Sequence, residues 1–230
     1  MIAEGDGRTA PGAQDGAVSV GHFVDVVSGR AFTRPSVDVE IPGPLPLRFV
    51  RAYSTTAAAR DVGLGRGWAH SWGWEIETRG RALVVWSEEG IATRFPPLAI
   101  GAEAIGPWGW LVRREPEHFV LDVGDGLTRT FAPANEGDHR FHLVAIADRN
   151  DNRIALLFEG ARLVEVHDSA GRVVRVTSTH EGRIAAIQAP DPQRREEWIV
   201  LASYSDDDAG DLAAAFDAEG HVARYACDTK

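Results

Sequence analysis

Residues 163–176 read Leu163-Val-Glu-Val-His-Asp168-Ser-Ala-Gly171-Arg172-Val-Val-Arg-Val176, and this stretch decides the fold class. Apolar and polar residues alternate on both sides of an Asp-x-x-Gly segment, and alternation with a period of two is typical of half-buried β-strands. Asp and Gly favour tight turns, because Asp caps nearby backbone amides and Gly reaches positive φ without steric cost. The stretch therefore predicts a strand, a turn and a second strand.

The pattern recurs along the C-terminal part of the chain. Its anchor positions are Leu143-x-x-Ile146-x-Asp148, Leu163-x-x-Val166-x-Asp168, Ile184-x-x-Ile187 and Leu212-x-x-Ala215-x-Asp217-x-x-Gly220. The anchors follow one another at steps of 20, 21 and 28 residues, and the longest step spans an insertion at 191–211. One such unit cannot bury its own apolar face, so we expect the units to stack side by side.

Two hairpins are predicted upstream of these repeats. Glu89-Gly90 follows the apolar stretch 83–86, and Asp125-Gly126 follows the apolar stretch 119–123. An acidic residue followed by Gly between alternating segments is a strong hairpin signal. The alanine-rich segment 211–216 has the composition of a helix start, but its register within the repeat favours a strand.

Short alternating segments at 23–27, 37–41 and 45–53 predict strands in the N-terminal part as well. One face of the last segment carries Leu45, Leu47, Phe49, Arg51 and Tyr53. The preceding prolines make a stiff entry segment, and Ser54 is placed to cap a short helical turn. The expected fold is all-β, an antiparallel sheet of hairpins and repeats with little helix.

These patterns divide the chain into three parts. Residues 1–20 are rich in Gly and Ala and lack aromatic residues, so we expect a flexible leader. Residues 21–100 form a predicted N-terminal β module. Residues 101–230 form predicted hairpins and repeats, with the repeats proper at 143–230.

Composition excludes several classes of function. The chain has 230 residues, with 24 Lys and Arg against 34 Asp and Glu, which gives a formal charge of −10. This charge disfavours nucleic acid as a partner, because phosphates would be repelled. No apolar run is long enough for a signal peptide or a membrane span. The single cysteine, Cys227, excludes an intrachain disulfide and lacks the basic surroundings of a nucleophile.

No residue pattern predicts a catalytic centre, a metal site or a cofactor site. The run Asp148-x-Asn150-x-Asn152 resembles a calcium loop, but Arg153 stands where that loop needs Gly. His139 and His142 would point to opposite faces of a strand. His70 and Ser71 are adjacent residues, which rarely contact each other as base and nucleophile. We therefore expect that the protein is not an enzyme and that it has no cofactor.

Tryptophan is abundant, with seven residues in the chain. Trp72 and Trp74 are spaced to share a strand face, as are Trp108 and Trp110. Aromatic platforms of this kind stack on sugars. The interpretation that we favour is that these rings form the core of the N-terminal module, because aromatic side chains bury large areas.

The order of residues in the N-terminal module resembles that of the RHS/YD-repeat proteins. The resemblance rests on segments 21–30, 38–47, 49–54 and 63–71, and the Asp-x-x-Gly turns downstream are similar to YD repeats. The residues that carry it are Asp25, Gly29, Pro42, Gly43, Pro44, Tyr53, Gly65, Trp68, Asp148, Asp168, Gly171, Asp217 and Gly220. At the corresponding turn position after Asp148 the chain has Asp151, where the family favours Gly.

In that family the repeats wind into a hollow shell that encloses a C-terminal toxin. The resemblance implies a non-enzymatic structural segment of a polymorphic toxin or secreted effector, which caps and starts the encapsulating shell. Three or four repeat units cannot close a cavity, so the implied partners are further YD repeats or a second shell chain, an enclosed toxin domain and, as a further candidate, a secretion-system spike. The implied location is the bacterial cytoplasm before export, then the medium or the cell surface, by a route such as type VI secretion that needs no signal peptide. The alternative function is a surface module that binds glycans or a protein.

Overall fold

The computed structural model describes residues 17–19, 23–25, 29–135, 137–194 and 196–225. The first strands are β1 (Ala17–Ser19), β2 (Phe23–Val24), β3 (Ala31–Phe32), β4 (Ser36–Ile41), β5 (Leu47–Tyr53), β6 (Trp68–His70), β7 (Glu75–Arg79), β8 (Ala82–Trp86), β9 (Ala92–Phe95) and β10 (Glu103–Ile105). The remaining strands are β11 (Leu111–Arg114), β12 (Phe119–Asp122), β13 (Leu127–Pro133), β14 (Arg140–Asp148), β15 (Arg153–Glu159), β16 (Arg162–His167), β17 (Val173–Ser178), β18 (Ile184–Pro190), β19 (Trp198–Asp206), β20 (Leu212–Asp217) and β21 (Val222–Arg224). The helical elements of these residues are two short 3-10 turns, at Thr55–Ala57 and Pro107–Gly109.

The strands from β10 to β21 form one continuous meander. Each strand pairs antiparallel with the next along the chain, so the sheet order follows the sequence order. This confirms the predicted all-β, antiparallel fold. The alanine-rich segment is strand β20, as its repeat register predicted, and both predicted hairpins are present as β8–β9 and β12–β13.

A three-stranded branch leaves this sheet at β14. The second half of β14 pairs with β15, but its first half, at Arg140–His142, pairs with β7. Strands β8 and β9 continue the branch. The polypeptide of the predicted N-terminal module therefore supplies three strands to the large sheet, and residue 100 marks no sheet boundary.

The first half of the predicted module forms separate small sheets. Strands β4, β5 and β6 make a three-stranded antiparallel sheet, and β2 pairs with β3. The predicted inward face of β5 is confirmed, because Leu47, Phe49 and Arg51 are buried. Strand β4 of the small sheet packs on β19 and β20 of the large one. A single apolar core is continuous through both sheets.

Part of the predicted flexible leader is a strand. Residues Ala17–Ser19 form β1, which pairs in parallel with β21 at one end of the large sheet. The expectation of a wholly flexible leader is therefore wrong for these three residues, because backbone pairing with an exposed sheet edge fixes them. Residues 1–16 and Cys227 lie outside the described part of the chain.

β-bulges explain why the repeat anchors stand three residues apart. Residues i and i+3 of a regular strand point to opposite faces. In β16, however, Leu157 pairs with Glu165 and Phe158 with Leu163, so Val164 is an extra residue on its strand. This bulge brings Leu163 and Val166 to the same buried face. Equivalent register shifts leave Val144, Ala185 and Ala213 as extra residues after the first anchor of the other units.

No helix within the described ranges combines the length and the apolar composition needed to cross a membrane.

Candidate functional site

The N-terminal sheet is held on the large sheet by a buried polar cluster. Arg51 of β5 donates through Nε to Asp38 of β4 at 2.6 Å, and Tyr204 of β19 donates its hydroxyl to the same carboxylate oxygen at 2.8 Å. The Arg51 guanidinium also donates to the Tyr225 hydroxyl. Burial raises the pKa of Tyr204 well above its ordinary value, so the hydroxyl stays protonated and donates. The cluster joins the two sheets through strands β4, β5 and β19.

A second contact joins the proline segment between β4 and β5 to the turn between β16 and β17. The Ser169 hydroxyl donates to the Leu45 carbonyl and accepts from the Leu45 amide, both at 2.9 Å. The Arg172 guanidinium donates to the Pro42 carbonyl. A side chain at Gly43 would come within 3.1 Å of the same guanidinium, so the close approach favours Gly there.

A third contact lies at the opposite edge of the repeat sheet, where the segment before β6 meets the turn between β19 and β20. Arg66 donates to both carboxylate oxygens of Asp211, at 3.1 and 2.9 Å, and the Ile184 amide donates to the Gly63 carbonyl. Gly65 has φ +84, and a Cβ at this residue would lie 3.0 Å from the backbone around Asp211. Only glycine combines this positive φ with so close a backbone approach.

The remaining predicted motif residues of the module serve the same contacts or local turns. The Trp68 ring packs edge-on against Tyr225, with centroids 4.7 Å apart, and Tyr53 packs on Trp68 at 5.6 Å. Gly29, at φ +70, donates its amide to the Asp25 carbonyl in the β2–β3 turn. Pro44 lies in the bend that precedes β5. The N-terminal residues on which the family resemblance rests are thus largely the residues that contact the repeats.

The predicted Asp-x-x-Gly turns share one geometry. Asp168 accepts from the amides of Ala170 and Arg172 through Oδ1, and Gly171 adopts φ +78. Asp148, Asp207 and Asp217 cap their turns in the same way. The Asp207 turn lies within the predicted insertion and was not predicted from the sequence. Asp151 takes the glycine conformation at φ +63. The Asp148 run is therefore a capped turn, as predicted, because its carboxylate already accepts from Asn150 and Asn152.

Charged side chains are also buried beneath the branch strands. Arg60 donates to Glu75 and, at 2.6 Å, to Glu77, and its guanidinium lies 4.2 Å from the centroid of the Trp86 ring. Burial alone would raise the pKa of Glu77, but the hydrogen bond from Arg79 and the charge of Arg60 outweigh burial and lower that pKa. In this cluster the arginine charges compensate the glutamate charges. No pattern in the sequence predicted the cluster.

A cavity of about 530 Å³ lies between the small sheet and the repeats, and its lining includes His70 and His142. The His70 Nε2 atom bonds the Val62 carbonyl at 2.9 Å, and burial lowers the pKa of His70 to about 4. Burial also lowers the pKa of His142, which stacks on Phe158. The Ser71 hydroxyl donates instead to the Arg48 carbonyl. His70 and Ser71 therefore do not form a base and nucleophile pair.

The fold separates the four tryptophans of the predicted platform into buried and surface residues. Trp72 is 2% exposed and packs edge-on against Phe49, so it belongs to the core and not to a surface platform. Trp74 is buried too, but its ring lies 5.6 Å from that of Trp110. Trp108 is 71% exposed and lies 5.6 Å from Trp110. The surface aromatic site consists of Trp108 and Trp110, with Trp74 beneath them.

Among the described residues, one group of side chains has the geometry of a metal site. Ligand atoms of Asp217, Glu219 and His221 lie within 4.8 Å of one another on an exposed turn. The His221 Nδ1 atom already bonds Asp217 at 2.8 Å, and this bond raises the pKa of His221. The three side chains satisfy one another within the turn, and their spacing does not call for a metal.

Comparison with known proteins found a family model that matches part of the chain. A family model described as a domain of unknown function, DUF6531, matches residues 21–95. This segment includes the small sheets and the branch strands β7–β9, about a third of the chain. A search of curated proteins found no match.

Proposed function

We propose that this protein is a non-catalytic structural segment of an RHS-repeat toxin or secreted effector. In this role the N-terminal module caps the first repeats of a β-shell, and the shell encloses a toxin domain. The observation that carries the proposal is the recurrence of one turn geometry, at Asp148, Asp168, Asp207 and Asp217, along an uninterrupted antiparallel meander. Repeats of this kind lengthen a sheet by addition of identical units.

The contacts of the module support the capping role. The module touches both turn-bearing edges of the repeat sheet, through Ser169 on one side and Asp211 on the other, and it touches strand β19 through Tyr204. Contacts at three separate places hold successive repeats at fixed relative positions. A rigid first layer of this kind is what further repeats need as a template.

The sheet has edges that suit the proposed partners. Among the described strands of the large sheet, β1, β9 and β10 each pair on one side only, whereas the edge of β21, the last of these strands along the chain, is covered by β1. An unpaired edge is a ready template for a strand from another chain or another repeat. We propose further YD repeats or a second shell chain as the structural partners, with the toxin domain enclosed and a secretion-system spike as the carrier of the assembly out of the bacterial cytoplasm.

The native size of the species that carries this segment tests the proposal. Producing cells are blotted with an antibody raised against residues 21–100, and the purified particle is weighed by light scattering. We expect a product much heavier than 24.9 kDa, or a tight complex with a second repeat-bearing chain. A lone 24.9 kDa monomer in cells and in solution would contradict the proposal.

A surface module that binds glycans or a protein is the second candidate function. The exposed ring of Trp108 beside Trp110 favours it, because an exposed aromatic patch is typical of a binding site. Intrinsic tryptophan fluorescence across a panel of cell-wall sugars tests the glycan version. Quenching that is lost in Trp108→Gly would support it, and an unchanged spectrum across the panel would contradict it.

A further inference from the structure

The pocket beside Trp108 combines aromatic faces with negative charge. It has a volume of about 350 Å³, and its lining includes Trp74, Trp108 and Trp110 together with the carboxylates of Glu88, Glu89 and Asp125. One guanidinium, that of Arg129, lies among the three carboxylates. The lining therefore carries a net negative charge and favours a cation over a neutral or an anionic ligand.

The arrangement of the rings favours a rounded ligand over a flat one. The planes of Trp108 and Trp110 are inclined at 57°, and those of Trp74 and Trp110 at 45°. Coplanar rings would offer a flat platform for a sugar. Inclined rings surround a compact group on several sides, and tryptophan has the strongest cation–π attraction among the aromatic side chains.

The same protein shows how its tryptophans interact with cations. The guanidinium of Arg129 lies 4.7 Å from the ring centroid of Trp74, that of Arg60 lies 4.2 Å from Trp86, and that of Arg175 lies 3.8 Å from Trp198. Within the described ranges, no arginine lies over Trp108 or Trp110. Of the two, Trp108 is exposed, so its ring offers an open aromatic face next to the carboxylates.

Two further features agree with a cation site. Trp108 holds φ at +61, in the left-handed region that bulky side chains avoid, and the backbone turn thereby presents the ring to solvent. Arg129 binds Asp125 through its outer nitrogens at 3.2 and 2.7 Å, so the charges of these two residues compensate each other. The net charge of the lining therefore comes from Glu88 and Glu89.

We propose that this pocket binds an organic ammonium group, and best a methylated one. Methylated ammonium is weakly hydrated, so it loses little solvation on entering an aromatic pocket, and its methyl groups contact the rings while the charge lies near Glu88 and Glu89. Trp108 and Trp110 supply the ring faces. The inference is independent of the scaffold proposal, and it names a ligand class for the surface that the second candidate function uses.

Titration of the full chain with choline tests the site, with binding followed by tryptophan fluorescence and by calorimetry at constant ionic strength. We expect saturable binding with a dissociation constant on the order of 1 mM. The neutral isostere 3,3-dimethylbutanol should bind at least tenfold more weakly. N-acetyl-trimethyllysine amide should bind like choline, whereas N-acetyl-lysine amide should bind more weakly. Selective binding of the trimethyllysine amide would identify a peptide side chain as the source of the ammonium group.

Variants locate the binding. Trp108→Gly suits the positive φ and keeps the turn, and Glu88→Gln combined with Glu89→Gln removes two charges without removing volume. Each should weaken choline binding at least tenfold while the unfolding midpoint stays at the wild-type value. Trp198→Ala, outside the pocket, should bind choline normally. Equal binding of the neutral isostere, unchanged binding by Trp108→Gly, or binding of neutral sugars without choline would overturn the proposal.

Discussion

Arg51 and Asp38 form an ion pair of 2.6 Å on neighbouring strands of the small sheet, and their side chains are only 3% and 9% exposed. Two tyrosines complete the pair. Tyr204 of β19 is 166 residues from Asp38 along the chain, and Tyr225 is 174 residues from Arg51. A buried charge pair is stable only when its remaining hydrogen-bonding groups are satisfied. The ion pair therefore couples the folding of the small sheet to its contact with the repeats.

Arg51→Met should destabilise the protein by about 3–5 kcal/mol, because it leaves the Asp38 carboxylate buried without its counter-charge. Arg48→Met on the same strand is the matched control. Arg48 pairs with Glu40 at the surface, where both side chains are about half exposed, and its replacement should cost under about 1 kcal/mol. Urea unfolding followed by tryptophan fluorescence measures both values. Equal losses in the two variants would show that the buried pair has no special role.

His70 should make the protein less stable in mild acid. Burial lowers its pKa to about 4, whereas the unfolded chain has the ordinary value of 6.5. Between these two values the unfolded state binds a proton that the folded state does not, so stability falls as the pH is lowered from about 6.5 to about 4. The full effect of this group is about 3 kcal/mol.

The measurement is the free energy of unfolding between pH 7.5 and pH 4 for the wild type, His70→Gln and the control His180→Gln. The difference between His70→Gln and the wild type should shrink in acid, because the variant lacks the proton uptake. His180 is exposed, and its variant should follow the wild-type curve. Parallel curves for all three proteins would contradict the assignment.

The strands and turns were predictable because their signals are local. Alternation gave β16 and β17, and the anchor register outweighed the helix propensity of the alanines in β20. The Asp207 turn was missed although its signal was present, because Gly210 follows three residues later just as Gly171 follows Asp168. Asp207 lies within the segment 191–211, which the anchor spacing alone marks as an insertion, and this concealed the repeat.

The long-range features had no local signal. Nothing near Arg51 in sequence indicates that its partners include Tyr204 and Tyr225, and nothing in 75–79 indicates that this strand pairs with β14. The expectation that Trp72 and Trp74 share a strand face was wrong for a related reason. Trp72 and Trp74 are two residues apart, but they lie outside regular strands, so a shared face does not follow from their spacing.

Asp151 offers a stabilising substitution. The residue adopts φ +63, and the equivalent positions of other turns are Gly171 and Gly220 at φ +78 and +84. A Cβ atom makes the left-handed conformation sterically unfavourable. Asp151→Gly should therefore raise the free energy of unfolding by up to about 1 kcal/mol. Gly171→Ala should lower it by about 1 kcal/mol, since open space around the turn leaves backbone strain as the main effect. Thermal unfolding of the two variants should give shifts of opposite sign, and shifts of the same sign would contradict the equivalence of the turns.

Deletion of Val164 tests whether the bulge sets the repeat. Without this extra residue Leu163 and Val166 would stand two residues apart in a regular strand, so both would still point to the buried face. The deletion should therefore keep both anchors in the core and cost under about 1.5 kcal/mol. Deletion of Arg175 in β17, where the register is regular between Val174 and Val176, is the contrasting variant. It would turn one of these two buried valines to the opposite face, and loss of a buried aliphatic side chain from the core typically costs about 2–5 kcal/mol. Urea unfolding measures both losses, and hydrogen exchange of β15–β17 locates them. Equal losses in the two variants would show that Val164 is not an extra residue of its strand.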